Sequence, residues 1–131
     1  LIAEDDVQVR GLLKNVLASS GYKIFEAVDG EDALRVFHKN KDEIQLFILD
    51  VIMPKKNGKE FYDEAKKMNP DIKAIFISGY NAEVIHKKGI LKEGLDFISK
   101  PISPYELLRK VREVLDKDIA KNIISRNEGV C

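Results

Sequence analysis

The sequence has no tryptophan, a single cysteine, two histidines and four prolines among its 131 residues. The lone Cys131 has no intrachain partner, which removes a disulfide framework and points to a reducing, cytoplasmic setting. No second cysteine accompanies it, so a thiolate metal site is not expected. Charge of one sign is also missing. Lys+Arg and Asp+Glu are both 22 and the formal net charge is zero, without the basic surplus of a general nucleic-acid binder. No apolar run reaches membrane-spanning length and no signal-peptide pattern opens the chain, so this domain is expected to make no membrane contact, even if a longer parent is anchored. Internal repeats, low-complexity tracts and long linkers are lacking too. What remains, 44% hydrophobic and 34% charged residues, is the composition of one ordinary globular domain. Residue 1 is Leu rather than Met and falls inside an expected strand, which suggests a fragment of a longer chain or a few missing residues.

Short apolar runs alternate with amphipathic helical stretches, the pattern of repeated βα units and a parallel sheet. Strands are expected at Leu1–Glu4, Lys23–Ala27, Leu46–Leu49, Ala74–Ile77 and Leu95–Ser99. The third and fourth are nearly continuous apolar runs, as central strands covered on both faces require. Five helical segments accompany them. The first, Val7 to Ser19, carries Val9, Leu12, Leu13, Val16 and Leu17 at helical spacing, with Asp6 placed to cap it and Gly21 beyond its end. The second opens with Asp29-Gly30-Glu31-Asp32, and the third runs from Lys59 to Met68. The fourth, Ala82 to Lys92, is interrupted by Gly89. The fifth has Ser103 as cap and Pro104 at its first position, then a stripe of Leu107, Leu108, Val111, Val114 and Leu115. Periodicity weakens after Asp118, which gives one domain over residues 1–118 and a frayed or briefly helical tail over 119–131. Right-handed crossovers with helices on both faces make an α/β doubly wound sheet, whose ligands sit outside the carboxyl ends of the strands.

Polar groups are concentrated at that edge: Asp5 and Asp6 after the first strand, Asp50 after the third, Ser78 after the fourth and Lys100 after the fifth. Three carboxylates on one edge repel unless a cation neutralises them. The expected cation is Mg²⁺, held by Asp5, Asp6 and Asp50 with the backbone carbonyl of Ile52 as a further oxygen ligand. Asp50 is the candidate nucleophile, since a carboxylate can attack phosphorus and form an aspartyl phosphate. A transferring phosphoryl group needs positive charge and donors around its oxygens, which Lys100 and the Ser78 hydroxyl supply. Each residue alone has a plainer explanation. Asp6 is more often a helix cap, Asp5 a solvated turn residue, Ser78-Gly79 turn chemistry, and Lys100 a surface lysine before a proline. Lys55-Lys56 and Lys87-Lys88 read as solvated faces, and His38 and His86 lie on expected helices away from the edge. The separate explanations do not account for five such groups meeting at one place.

Asp5-Asp6, Asp50 with the downstream Met53-Pro54 and Gly58, Ser78, and Lys100-Pro101 resemble, in order and spacing, the receiver domain of two-component response regulators. The resemblance covers Leu1 to about Lys117. It implies a flavodoxin-like five-stranded parallel sheet of order 2-1-3-4-5. It further implies Mg²⁺-dependent transfer of phosphate to Asp50 from the phosphohistidine of a histidine kinase or phosphotransfer domain, and later autodephosphorylation. A cis peptide between Lys100 and Pro101 is implied as well, together with a switch in which Phe97 moves inward as Ser78 shifts toward the phosphoryl group. Ser78-Gly79-Tyr80-Asn81, Gly89-Ile90-Leu91, Gly94 and Phe97 look like receivers at the C-terminal end of hybrid sensor histidine kinases. A tail of a dozen residues leaves no room for a DNA-binding output domain, so direct nucleic-acid contact is not expected. A homodimer through the face of the fourth helix, fifth strand and fifth helix fits the resemblance.

Departures from the pattern carry information. Taking Asp5-Asp6 as the acidic pair, the next residue is Val7, where the family often has glutamate. Gly79 replaces the usual alanine after the hydroxyl residue. The two positions that influence phosphate lifetime in the family hold Ile52 and Tyr80, neither of which offers a carboxylate or amide to orient a water, so autodephosphorylation is expected to be slow. Three alternatives stand beside the hybrid-kinase receiver. A free-standing or N-terminal regulator receiver shares all its motifs. An Asp-nucleophile phosphohydrolase would carry a second aspartate where Ile52 stands, and would need a cap insertion for which there is no spare length. A degenerate receiver serving only as a scaffold would not keep Asp5, Asp6, Asp50, Ser78 and Lys100 together.

Overall fold

A computed structural model describes residues 1–79 and 95–128, with side chains as far as Lys117. The expected helix at Ala82–Lys92, Tyr80, His86 and Lys87-Lys88 lie outside these residues. The strands are β1 (Ile2–Ala3), β2 (Glu26–Ala27), β3 (Leu46–Asp50), β4 (Lys73–Ser78) and β5 (Asp96–Ser99). They form one parallel sheet in the order β2-β1-β3-β4-β5. The helices are α1 (Val7–Ser19), α2 (Gly30–Asn40), α3 (Gly58–Met68) and a C-terminal helix, Pro104–Glu128.

Three helices start where their sequences say they should. The Asp6 carboxylate accepts from the amides of Gln8 at 2.9 Å and Val9 at 3.2 Å, filling donors that the first turn of α1 leaves open. Asp29 does the same for α2 through the Asp32 amide at 2.8 Å. Asn57 and Glu60 form a reciprocal capping box at α3. The C-terminal helix continues through residue 118 to Glu128, so the expected boundary falls inside a helix. No Gly or Pro occurs between Tyr105 and Glu128, and nothing in that stretch breaks the ladder.

Alternation along the central strands divides the core into two layers. Phe47, Leu49, Ala74 and Phe76 face α2 and α3, where they meet Ala33, Val36, Phe37, Phe61, Tyr62 and Ala65. Ile48, Ile75 and Ile77 face the other way, toward Leu13 and Leu17 of α1 and Leu107, Val111 and Val114 of the C-terminal helix. The first layer is knit by rings. Phe37 meets Phe47 edge-on at 5.2 Å, Phe47 meets Phe61 at 4.8 Å, and Tyr62 meets Phe76 edge-on at 5.4 Å between centroids. The second layer is almost wholly aliphatic. Both exist to hold the carboxyl ends of β1, β3, β4 and β5 in register.

Candidate functional site

Register decides which carboxylates meet. Ile2 pairs with Ile48 and Ala3 with Leu49, so the next residue of the first strand, Glu4, comes level with Asp50 at the end of β3. Asp5 follows Glu4 into the loop. Ligand oxygens of Glu4, Asp5 and Asp50 all lie within 4.8 Å of one another. Glu4 is fully buried and Asp50 is only 6% exposed. Val51 donates its amide to the Ile77 carbonyl at 2.9 Å, which carries the β3 to β4 pairing past Asp50.

Asp6, expected among the cation ligands, is not in this cluster. Its carboxylate is turned to the N-terminus of α1 as the cap described above, and Glu4 takes its place. The acidic pair at the edge is therefore Glu4-Asp5. The residue after the pair is Asp6, an acid, rather than Val7, and one of the departures noted in the sequence disappears.

Lys100 closes the site from β5. Its ammonium stands 3.2 Å from Glu4 Oε1 and 3.3 Å from Asp50 Oδ2. The Lys100 backbone amide donates to the Ser78 carbonyl at 2.7 Å, which ties the ends of β4 and β5 together at the buried Ser78, one residue beyond Ile77, the partner of Asp50 in the sheet. The Lys100–Pro101 peptide is cis. The Ile52 amide donates to Asp50 Oδ1 at 3.3 Å, while the Ile52 side chain is 53% exposed. Arg10 reaches back from α1 and donates to the Glu4 carbonyl at 2.8 Å. Phe97 is paired in register with Phe76 and is half-buried against the aromatic layer.

The electrostatics follow from this crowding. The pKa of Glu4 is raised from 4.5 to about 8: burial contributes most, the hydrogen bond and charge of Asp50 add to it, and Lys100 opposes both. The same two carboxylates raise the Lys100 ammonium above its ordinary value against the effect of burial. Glu4 Oε2 is buried without a protein partner, an unsatisfied acceptor of the kind a cation removes. Three carboxylates with one oxygen unpaired suit a hard divalent cation that prefers oxygen ligands.

Glu4 does not stand out as a site residue in the sequence, although register carries a signal for it. Pairing the apolar starts of the first and third strands one for one places Glu4, not Asp6, opposite Asp50. The structure brings Asp5, Asp50, Ser78 and Lys100 together and sets Asp6 apart. Tyr80 falls outside the described residues.

Comparison with known proteins gives this edge its context. The family model for the response regulator receiver domain matches residues 1–112. The sensor kinase CckA of Brucella abortus is 34% identical over 117 residues, which cover 89% of this chain and 12% of that protein. The aerobic respiration control protein ArcA of Escherichia coli K12 is 30% identical over 125 residues, 95% of this chain and 51% of that protein. The chain thus spans about half or less of the length of these curated relatives. Among solved structures, the receiver domain of the hybrid histidine kinase CckA superposes with a TM-score of 0.74 at 33% identity, over 87% of this chain and 95% of that one. A chain of the CheX–CheY–BeF3–Mg²⁺ complex from Borrelia burgdorferi gives 0.76 at 28% identity, over 86% of this chain and 85% of that one. A five-stranded parallel sheet ending in buried carboxylates, and a family match across most of its length, make this chain a member of the response regulator receiver domain family.

Proposed function

We propose that this domain accepts a phosphoryl group on Asp50 from the phosphohistidine of a histidine kinase or phosphotransfer protein. The observation that carries the reading is the meeting of the buried Glu4 and Asp50 and the exposed Asp5 with the Lys100 ammonium at one sheet edge. In the transfer, an Asp50 carboxylate oxygen bonds to phosphorus as the phosphorus–nitrogen bond breaks, its electron pair remaining on the imidazole. Glu4, Asp5 and Asp50, with the Ile52 carbonyl, are the residues that would hold Mg²⁺. The ion supplies charge neutralisation for the phosphoryl oxygens. Lys100 offers its ammonium to the same oxygens once the phosphoryl group separates it from Asp50, and Ser78 offers its hydroxyl from β4.

The switch proposed for the domain couples Ser78 to Phe97 through the neighbouring strands β4 and β5. A shift of Ser78 toward the phosphoryl group makes room for the half-buried Phe97 ring to move further into the aromatic layer. Ile52 is an exposed hydrocarbon two residues beyond Asp50, and neither it nor Tyr80 offers a carboxylate or amide to orient an attacking water, so the phosphorylated form is long-lived. The similarity to CckA supports a place within a hybrid kinase, with residues 1–118 as the receiver and residues 119–131 as a C-terminal tail.

The test is incubation with acetyl phosphate and Mg²⁺. Wild type is expected to gain one phosphoryl group, and Asp50→Asn none. A label that persists in the Asn variant overturns the assignment of Asp50. Repeated turnover of an added phosphate ester would make the domain a hydrolase instead. For the lifetime, an Ile52→Asn variant is expected to lose its label faster than wild type, and equal decay would refute the role given to Ile52.

A further inference from the structure

The loop from Val51 to Asn57 joins β3 to α3 and brings the Ile52 amide onto the Asp50 carboxylate. Its own hydrogen bonds are few: Lys56 donates to the Pro54 carbonyl at 2.8 Å and Gly58 to the Val51 carbonyl at 3.2 Å. Part of its shape comes from outside, from the start of α2. A methyl carbon built on Gly30 would lie 2.1 Å from the Lys56 carbonyl oxygen and 2.6 Å from its carbon. The backbone of α2 therefore touches the loop where any side chain would push it away. One residue earlier, Asp29 is 6% exposed and has a task for each oxygen. Oδ1 caps α2 through the Asp32 amide, and Oδ2 faces the Lys55 ammonium at 3.7 Å. Lys55 has φ +66, a left-handed conformation that lysine takes reluctantly and that Gly or Asn would take more easily. Lys56 is engaged on the far side by Glu64 of α3. Of the two lysines that read as a solvated face in the sequence, Lys55 is exposed and faces Asp29, and Lys56 is drawn to Glu64.

We propose that Gly30 and Asp29 are positioning residues for the Asp50 site: they hold the loop 51–57 against α2 so that the Ile52 amide reaches the Asp50 carboxylate. Neither belongs to the carboxylate cluster, and both act through the loop. The platform they stand on is firm, because α2 is packed on α3 through the edge-on contact of Phe37 with Phe61. The close approach at Gly30 carries most of the effect. The ion pair carries less, since the Lys55 side chain is 61% exposed and such pairs are weak in water.

This inference rests on the proposed function, and its test separates the two. Labelling by acetyl phosphate is followed as Mg²⁺ is varied, giving a half-saturating Mg²⁺ concentration and a plateau rate, with the thermal midpoint measured alongside. Gly30→Ala is expected to raise the half-saturating concentration by about tenfold, equivalent to about 1.4 kcal/mol, and to lower the plateau rate. Val36→Ala, a buried change on the same helix, is expected to lower the midpoint and leave the half-saturating concentration at the wild-type value. Asp29→Asn keeps the cap, and Lys55→Asn keeps a residue tolerant of left-handed backbone. Each is expected to raise the half-saturating concentration roughly two- to threefold, and the double variant no further than either alone. A folded Gly30→Ala protein with wild-type Mg²⁺ dependence and rate overturns the positioning role. If Gly30→Ala does not fold, the two Asn variants decide, and wild-type Mg²⁺ dependence in both overturns it. A wild-type chain that takes no label at all overturns the functional reading, and the positioning role with it.

Discussion

The aromatic layer over α2 and α3 and the Glu4–Asp50 pair at the carboxyl ends of β1 and β3 are both buried, although Asp5 beside the pair is exposed. Phe37, Phe47 and Phe61 are fully buried, as is Glu4, and Asp50 nearly so. Their energetics run in opposite directions. The rings leave water for close-packed neighbours at favourable edge-on angles. The carboxylates leave water to face each other, with one oxygen unpaired and one lysine between them. Burial stabilises the first region and is a cost in the second, so the aromatic layer can be read as what makes the strained edge sustainable. Stability and chemistry are thereby assigned to different residues, and substitutions should separate them.

The largest effect is expected from Asp50→Asn, which should abolish labelling by acetyl phosphate while leaving the thermal midpoint equal to or above that of wild type, because it relieves the repulsion on Glu4. A clear loss of stability would mean that the edge contributes to the fold after all. Phe47→Ala should do the reverse. It empties the centre of the ring cluster and should cost about 3–5 kcal/mol in denaturant unfolding, with labelling per folded molecule preserved. Lys100→Met should slow labelling by about 10²-fold, the order found when one preorganised donor to a developing charge is removed, with Mg²⁺ in excess and the fold checked by circular dichroism.

Smaller effects sharpen the contrast. The folded state holds the Glu4 proton more tightly than the unfolded chain does, with a pKa of about 8 against 4.5. Between those values the proton is lost on unfolding, so stability in metal-free buffer should fall as pH rises through that window. Glu4→Gln should flatten this slope, and an unchanged slope in chemical denaturation across pH would assign it to another group. At the bottom of the scale, the exposed pair of Lys23 and Glu43 should contribute less than about 1 kcal/mol in a double-mutant cycle.

Much of the architecture is legible in the sequence because continuous apolar runs such as Leu46–Leu49 and Ala74–Ile77 admit few other readings. α1 emerges at Val7–Ser19 as expected, since cap, stripe and terminating glycine all agree. Less legible are the short strands. β1 and β2 are each regular over two residues only, Ile2–Ala3 and Glu26–Ala27. The site shows the same limit. Asp50, Asp5, Ser78 and Lys100 could be found by asking which polar groups follow apolar runs. Glu4 could not be found that way, since it stands where the strand is still buried and its significance depends on register across β1 and β3. Asp6 misleads for the complementary reason: two acids in a row look like a pair, and only the start of α1 shows that one of them is committed to the backbone. The roles of Gly30 and Lys55 depend on contacts between elements distant in sequence, which no local pattern records.

Lys100 gives the site two kinds of cation. One is tethered: its ammonium is part of the chain, stands between Glu4 and Asp50, and cannot be diluted away or removed by a chelator. The other, in the proposed function, is drawn from solution and exchanges. A domain built this way keeps a positive charge between Glu4 and Asp50 whether or not a metal ion is bound, while its readiness to react follows the exchangeable ion.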